Sequence, residues 1–304
     1  MKLKYVPEDF VVREHASHHF VENGPWACYL LQKRDRNTLD VLKELSKVVG
    51  VPLSKIGYAG TKDKHAVTYQ YVTVPQQYKL PERIGMSYFK FQGYLRDRIN
   101  IGDLEGNNFE IIIRKSSRPS SRDWIINYFG EQRFGAHNVE LGKLLIKKKY
   151  KEFCTLYGLE IIDPIAQIKT VPRRLLLLFI HSYQSYAWNT VVANSLEGKK
   201  EVYTQGVYCF PEKKVNGTMD LPGFLSSNSL VSEWMNDDGV KLSDFINRSI
   251  PSLSVEGTKR LVSVPVKDCI VKEIPDDYFG GVAYKVTFGL PKGSYATQVI
   301  RQML

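Results

Sequence analysis

Between Gly57 and Gln70 the chain reads Gly-Tyr-Ala-Gly-Thr-Lys-Asp-Lys-His-Ala-Val-Thr-Tyr-Gln, and a single acid, Asp63, stands among Lys62, Lys64 and His65. Cationic neighbours favour the charged form of a carboxylate, the form required of a nucleophile or a base. The same cations attract phosphate. Gly57 and Gly60 allow tight backbone geometry around the segment. On composition alone a solvated surface hairpin is the simpler account, because Lys-Asp-Lys is a common exposed triplet. No second carboxylate clusters with Asp63. The four cysteines, Cys28, Cys154, Cys209 and Cys269, lie far apart without a Cys-x-x-Cys or Cys/His set. The expectation is therefore no metal site and no disulfide framework.

The elements that must position Asp63 follow from pattern. Lys55 to Ala59 reads as a short strand and Gly60 to Lys64 as a loop. Val67 to Val74 reads as a β-branched and aromatic strand, so the segment is strand, loop, strand. Upstream, Val6 to Glu14 and Trp26 to Gln32 read as strands. Asn37-Thr38 reads as the cap of a helix in which Leu39, Leu42, Leu45 and Val49 fall near helical spacing before Gly50. Downstream, Ser87 to Leu95 and Asn108 to Arg114 read as strands, and Ser120 to Asp123 as the cap of a helix through Phe129. From about Leu141 helices and basic doublets dominate, with a long helix over Arg174 to Leu196. Strands resume at Arg260 to Val266, Cys269 to Glu273 and Ala283 to Leu290. A terminal helix runs from Ser294 to Met303. Strand-rich ends around a helical, basic middle describe an α+β domain carrying an insertion. The expected boundaries are 1–140 with 255–304 for the discontinuous domain and 141–254 for the inserted one.

The chain has 304 residues and a formal net charge of +10. That length suits one large domain with an insertion or two domains. The basic balance favours a polyanionic partner. The longest apolar run, Leu175 to Ile180, is far too short to span a bilayer. Met1 to His15 is charged and mixed, unlike a secretory signal. The expectation is a cytoplasmic protein without a membrane partner, and a monomer.

The segment Gly57 to Gln70 resembles the signature of the TruD family of tRNA pseudouridine synthases, a Gly-x-Lys-Asp-(Lys/Arg)-x-Ala-Val-Thr-x-Gln pattern. Gly60, Lys62, Asp63, Lys64, Ala66, Val67, Thr68 and Gln70 carry the match. Companion stretches agree in family order. Lys4 with Pro7 to Glu14 resembles the opening segment. Lys33 to Thr38 resembles the basic turn before the first helix. Gly102 to Phe109 resembles the Gly-x-x-x-Gly-Asn-x-Phe segment, Asn127 to Gly135 the segment ending in Gln-Arg-Phe-Gly, and Phe288 to Thr297 the closing one. Even in the middle, which is short for the family, His181 to Asn189 and Leu221-Pro222-Gly223 have counterparts.

The resemblance implies a pseudouridine-synthase catalytic domain with a mixed, mainly antiparallel sheet flanked by helices, plus an inserted α/β domain of the TRUD type. It implies that Asp63 is the catalytic carboxylate and that no cofactor is needed, since the isomerisation involves no redox step or group transfer. Lys4, Glu8, Phe10, Lys62, Gln70, Asn107, Phe109 and Phe288 are the implied substrate-binding residues, Phe109 stacking on the target uracil and Phe288 forming a second aromatic wall. The partner is tRNA or another structured RNA. The target is commonly position 13 in the D-arm, with position 35 of a tyrosine tRNA or other uridines open. Lys64, His65, Arg133, Lys147, Lys148, Lys149, Arg173 and Arg174 are candidate phosphate contacts. Each also has a plain structural role available to it: strand phenylalanines are usually core, and lysine runs are usually solvated. A non-catalytic RNA-binding or RNA-folding module on the same scaffold is the alternative; Asp63, Asn107 and Phe109 together argue against it. A metal-dependent nuclease is disfavoured by the lack of clustered acids.

Overall fold

Phe10, Val12 and Glu14 are buried while Arg13 and His15 are exposed, so the first strand of the computed structural model, which describes residues 1–304, has one face turned inward. In chain order the elements are β1 (Phe10–His15), β2 (Trp26–Arg34), α1 (Thr38–Val49), β3 (Gly57–Tyr58), β4 (Val67–Pro75), β5 (Arg83–Ile84), β6 (Ser87–Leu95), β7 (Gly106–Ile113) and β8 (Trp124–Ile126). Then come α2 (Asn138–Ile146), α3 (Tyr150–Tyr157), α4 (Pro164–Thr170), α5 (Arg173–Asn194), β9 (Lys199–Tyr203), β10 (Gly206–Phe210), β11 (Thr218–Leu221) and α6 (Ser229–Asp237). The chain closes with β12 (Thr258–Leu261), β13 (Ser263–Pro265), β14 (Lys267–Pro275), β15 (Val282–Pro291) and α7 (Ala296–Met303). No helix is long and apolar enough to cross a membrane.

Two compact units divide the chain, Met1–Asp123 with Pro265–Leu304, and Trp124–Val264. The divisions fall at 123/124 and 264/265, against the expected 140/141 and 254/255. The first unit holds a nine-stranded sheet in the order β14-β15-β7-β1-β4-β2-β6-β5, with β3 beside β4. Only β1 and β4 run parallel; the remaining pairs are antiparallel. On one face Val41, Leu42 and Leu45 of α1 pack against Tyr29, Leu31, Val72, Val74 and Phe89. Burying each such side chain contributes about 1.5–3 kcal/mol. Gly50 ends α1 in the left-handed region, φ 76°, with its N–H on the Ser46 carbonyl at 3.0 Å, the usual geometry of a helix stop.

Register places the residues of interest. Val12 faces Phe109 and Glu14 faces Asn107 across β1 and β7, while Phe109 faces Phe288 across β7 and β15. Gly106 makes that approach possible, since a Cβ there would lie 2.1 Å from the Leu290 carbonyl oxygen.

The second unit is built around α5, which buries Phe179, Tyr183, Ala187, Trp188 and Val192. Helix α2 packs on it so closely that a Cβ at Gly142 would lie 2.1 Å from the Phe179 carbonyl oxygen. The strands β9 to β12 add two short antiparallel ladders, so this unit mixes helix and strand.

The structure corrects several expectations. The expected helix from Ser120 to Phe129 is instead an extended segment containing β8. Ile125, Ile126 and Tyr128 are all buried, and a short run buried on both faces carries no helical period. The expected strand from Val6 begins only at Phe10, because Pro7 opens a 3-10 turn over Pro7–Asp9. Asn37 does not cap α1 with its side chain, which instead donates to Asp40 at 3.0 Å. Ser294 lies outside α7, whose N-cap is Tyr295.

One buried ionic group ties the N-terminal turn to this sheet. Arg114, just past β7, donates from Nη2 and Nε to Asp9 at 2.6 and 2.9 Å, and from Nη1 to Asp276 at 2.6 Å. All three residues are buried. Removing the cation would strand two buried carboxylates, a change that costs about 3–5 kcal/mol. Arg114→Met is expected to lose stability of that order in urea unfolding. A loss under about 1 kcal/mol would show the carboxylates to be solvated.

Candidate active site

Asp63 lies in a loop whose backbone is tied down from several sides. Lys33, at the end of β2, is fully buried and donates from Nζ to the carbonyl of Asp63 at 2.7 Å and to that of Lys62 at 3.5 Å. Thr38 Oγ1 accepts the Lys62 N–H at 3.0 Å and donates to Gln70 Oε1 at 3.0 Å. Gln70 Nε2 donates to the Gly60 carbonyl at 3.0 Å. The Asp35 N–H reaches the Ala66 carbonyl at 3.1 Å and closes the far end. A loop held in this way keeps the Asp63 carboxylate in place.

The carboxylate itself meets Lys4, which donates from Nζ to Asp63 Oδ2 at 3.1 Å. Asp63 keeps 36 % of its side chain exposed, and Oδ1 is left for another partner. Lys4 sits at φ 54°, in the left-handed region that long side chains seldom occupy. Its Nζ lies 4.0 Å from the centroid of the Phe10 ring, a distance at which the ring face attracts a cation. Phe10 meets Phe109 edge-on at 6.1 Å, and Phe109 stacks on Phe288 at 5.4 Å with 28° between planes. Contacts therefore run unbroken from Asp63 through Lys4 and Phe10 to the paired rings of Phe109 and Phe288. Phe10 and Phe288 are buried and Phe109 is partly exposed, so Phe109 is the ring with surface to offer. Asn107, on the same face of β7 as Phe109, has a buried Oδ1 with no donor.

Not every expected residue joins this group. Gln70 is fully buried with both ends of its amide engaged, so it positions the loop and presents nothing to a substrate. Lys62 is turned inward to Glu14, Nζ to Oε2 at 2.6 Å, with 7 % of its side chain exposed. Glu8 pairs with Arg34 in an exposed ion pair, and that guanidinium lowers its pKa. Lys64 and His65 are exposed, His65 Nδ1 lying 2.7 Å from Asp35 Oδ1.

The remaining basic candidates belong to the second unit. Lys147 and Lys148 are held by Asp244, Lys147 on its carboxylate at 3.2 Å and Lys148 on its carbonyl at 2.6 Å. Their charges are thus partly neutralised within the unit. Arg133 donates to Ser185 Oγ at 3.3 Å. Arg173 donates to the Ser252 carbonyl at 3.1 Å and remains exposed, as do Lys149 and Arg174.

Two residues that position the loop lie outside the site set that the resemblance implies. Lys33 was grouped with a basic turn, yet β2 continues through Arg34 and puts Lys33 in the same inward phase as Ala27, Tyr29 and Leu31. A lysine at an inward strand position is a signal that strand alternation contains, once the strand is given its full length. Thr38 was read as half of a helix cap; its hydroxyl instead joins the loop to Gln70.

The sequence matches the family described as "tRNA pseudouridine synthase D (TruD)" over residues 1–166 and 205–303. It is 30% identical to a probable tRNA pseudouridine synthase D of Pyrococcus furiosus, covering 100% of this chain and 95% of that protein. It is 26% identical to the tRNA pseudouridine synthase D of Aquifex aeolicus, covering 100% and 98%. The crystal structure of a putative tRNA pseudouridine synthase D from Methanosarcina mazei superposes with a TM-score of 0.71 over 99% of this chain and 93% of that one, at 22% identity.

Burial, with Lys62 adding to it, pushes the Lys33 ammonium down to about 8 against the opposing pull of Asp63. A base with a depressed folded value binds fewer protons folded than unfolded between about 8 and the ordinary lysine value of 10.5. Stability therefore rises with pH through that window, and the penalty of the charged form is full below it. Lys33→Met is expected to flatten this slope in denaturation curves taken from pH 7 to 10.5. An unchanged slope would show that Lys33 keeps an ordinary pKa.

Proposed function

The chain belongs to the TruD family of pseudouridine synthases, and from that premise we propose that it isomerises a uridine of tRNA, position 13 of the D-arm first among the candidates, with Asp63 as the acting carboxylate. The observation that carries this reading is the Lys4–Asp63 pair at 3.1 Å, joined through Phe10 to the stacked rings of Phe109 and Phe288. It supplies a fixed carboxylate with one free oxygen beside an aromatic surface.

The reaction breaks the C1′–N1 bond, turns the uracil and joins C1′ to C5. The electron pair of the broken bond leaves with the base. Asp63 either bonds to C1′ and is displaced when C5 joins C1′, or takes the C2′ proton, leaving a C1′=C2′ double bond, and returns that proton to C2′ as C5 joins C1′. The C5 proton is then lost and N1 gains one, so no atom is added overall. Lys4 orients the carboxylate through Oδ2, which directs Oδ1 to the sugar.

The detached base must be retained while it turns. Phe109 offers one face, its other being covered by Phe288, and stacking on a base contributes about 1–3 kcal/mol. A flat ring permits rotation in its own plane. Asn107 Oδ1 is buried without a donor, which costs about 1–3 kcal/mol, and a side-chain rotation that brings it to an N–H or O–H of the extruded nucleotide relieves that cost. Extruding the target costs a few kcal/mol, which phosphate contacts to exposed cations such as Lys64, Lys149 and Arg174 help offset.

Incubating the protein with unmodified tRNA and mapping pseudouridine at single-nucleotide resolution tests activity and target together. Asp63→Asn and Asp63→Ala are expected to abolish product while RNA affinity persists, and turnover retained by Asp63→Ala would sink the assignment. Phe109→Ala is expected to lower kcat/KM by about tenfold or more, from the stacking lost. Unchanged kcat/KM would remove Phe109 from the base-holding role.

A further inference from the structure

Lys4 is the one cation paired with the Asp63 carboxylate, since Lys62 is turned to Glu14 and Lys33 to main-chain carbonyls. It makes that contact from a left-handed backbone, φ 54°. A long side chain persists there only where its surroundings over-determine the conformation. Two ties act on the segment around it. Before Lys4, the Lys2 N–H donates to the Arg114 carbonyl at 2.8 Å and the Arg114 N–H donates to the Lys2 carbonyl at 3.0 Å. After Lys4, the Tyr5 ring lies edge-on to Tyr278 at 5.2 Å and tilted against Phe279 at 4.8 Å.

Tyr278 and Phe279 belong to the turn between β14 and β15, outside every stretch that carries the family resemblance. That turn is tightly bonded. Asp276 N–H donates to the Gly281 carbonyl at 3.0 Å, and the Asp276 carbonyl accepts the Gly280 N–H at 2.9 Å. Asp276 Oδ1 accepts the N–H groups of Tyr278 and Phe279 at 3.1 and 3.2 Å, besides the Arg114 guanidinium at 2.6 Å. Gly280 and Gly281 take positive φ, 68° and 74°, which lets the chain close on itself. Cations brace both rings: the Arg114 guanidinium lies 4.6 Å from the Tyr278 centroid and Lys115 Nζ 4.3 Å from that of Phe279.

Tyr5 and Tyr278 are both exposed, so their contact gains little from burial. Its effect is directional, because edge-on and tilted ring pairs favour particular geometries. The buried Arg114 group fixes the Tyr278 ring, Tyr278 and Phe279 fix the Tyr5 ring, and the Tyr5 backbone sets where Lys4 stands. Lys4 Nζ then lies 4.0 Å from the Phe10 centroid and 3.1 Å from Asp63 Oδ2. The contacts are continuous from the β14–β15 turn to the carboxylate.

We infer that Tyr278 and Phe279 are positioning residues for the proposed reaction: through Tyr5 they keep Lys4 on Asp63 and so aim the carboxylate. Neither ring touches the reacting atoms in this role. A small displacement of a catalytic group costs rate even when the displaced contact is remote from the chemistry. The inference rests on Asp63 as the acting carboxylate.

The test uses the full chain and unmodified tRNA. Tyr278→Ala combined with Phe279→Ala removes both rings and keeps the main-chain bonds to Asp276. The single-turnover rate of this variant is expected to fall about tenfold or more, with Kd for tRNA within about twofold of the unmutated protein. Tyr278→Phe, which keeps the ring, is expected to keep the rate. In Lys4→Met protein no ammonium is left to place, so removing the rings is expected to change the rate by less than about twofold. A raised Kd with the rate intact shows that the rings touch RNA directly, and a rate loss repeated in full on Lys4→Met shows that they act elsewhere. Either result overturns the inference, as does an unchanged rate. If the double variant fails to fold, Tyr5→Ala, which removes one exposed ring, is read in the same way. Amide exchange across Lys2 to Val6 answers without turnover: it is expected to quicken about tenfold or more in the ring variants, and unchanged exchange overturns the inference. Turnover retained by Asp63→Ala sinks the proposed chemistry, and this inference falls with it. An inactive Asp63→Ala beside fully active ring variants sinks this inference alone.

Discussion

A lysine without access to water holds the candidate site of this protein in place. The Lys33 ammonium meets two main-chain carbonyls of the loop above it and has no carboxylate in its own ion pair. Taking an ammonium out of water is costly, and carbonyl dipoles return only part of that cost. The loop is therefore shaped around the cation, and Asp63, whose own carbonyl receives the 2.7 Å bond, cannot drift without leaving the charge unsolvated. Thr38 and Gln70 serve the same end with neutral groups. The arrangement exchanges stability for position, as active sites commonly do.

The second constraint is the close spacing of β1, β7 and β15. Phe10, Phe109 and Phe288 come from three strands, and only the register among them brings the rings together. Gly106 permits that register by leaving room for the Leu290 carbonyl. The Arg114 group secures the same region from the other end, since Asp9 directly precedes Phe10. Lys4 then arrives over Phe10 with its charge on Asp63, so the N-terminal segment, the loop and the aromatic rings depend on one another.

Much of the site was legible before folding was considered. Asp63, Lys4, Phe10, Asn107, Phe109 and Phe288 each stand out by motif, and the structure gathers them on adjoining strands, one loop and the N-terminal segment. The long helix α5 and the sheet-rich ends followed from periodicity. Less legible were short buried runs such as Ile125 to Tyr128, which show neither period clearly, and the strands of the second unit, which are four or five residues long. Gln70 and Lys62 are turned to partners within the protein, which a motif does not reveal, because a polar side chain in it looks the same whether it faces a substrate or the protein.

The sequence by itself determined the family and the candidate residues: one acid in a specific motif, aromatic residues in ordered companion segments, and strands and helices whose local pattern is strong. Those are properties of residue type and short-range spacing. Tertiary structure decided which groups remain available. Lys62 is occupied by Glu14, Gln70 by Thr38 and Gly60, and Glu8 by Arg34, whereas Asp63 engages Lys4 through Oδ2 alone and Asn107 Oδ1 is buried without a donor. Each of those outcomes is set by the register and approach of segments distant in the chain, where a shift of one residue exchanges the two faces of a strand.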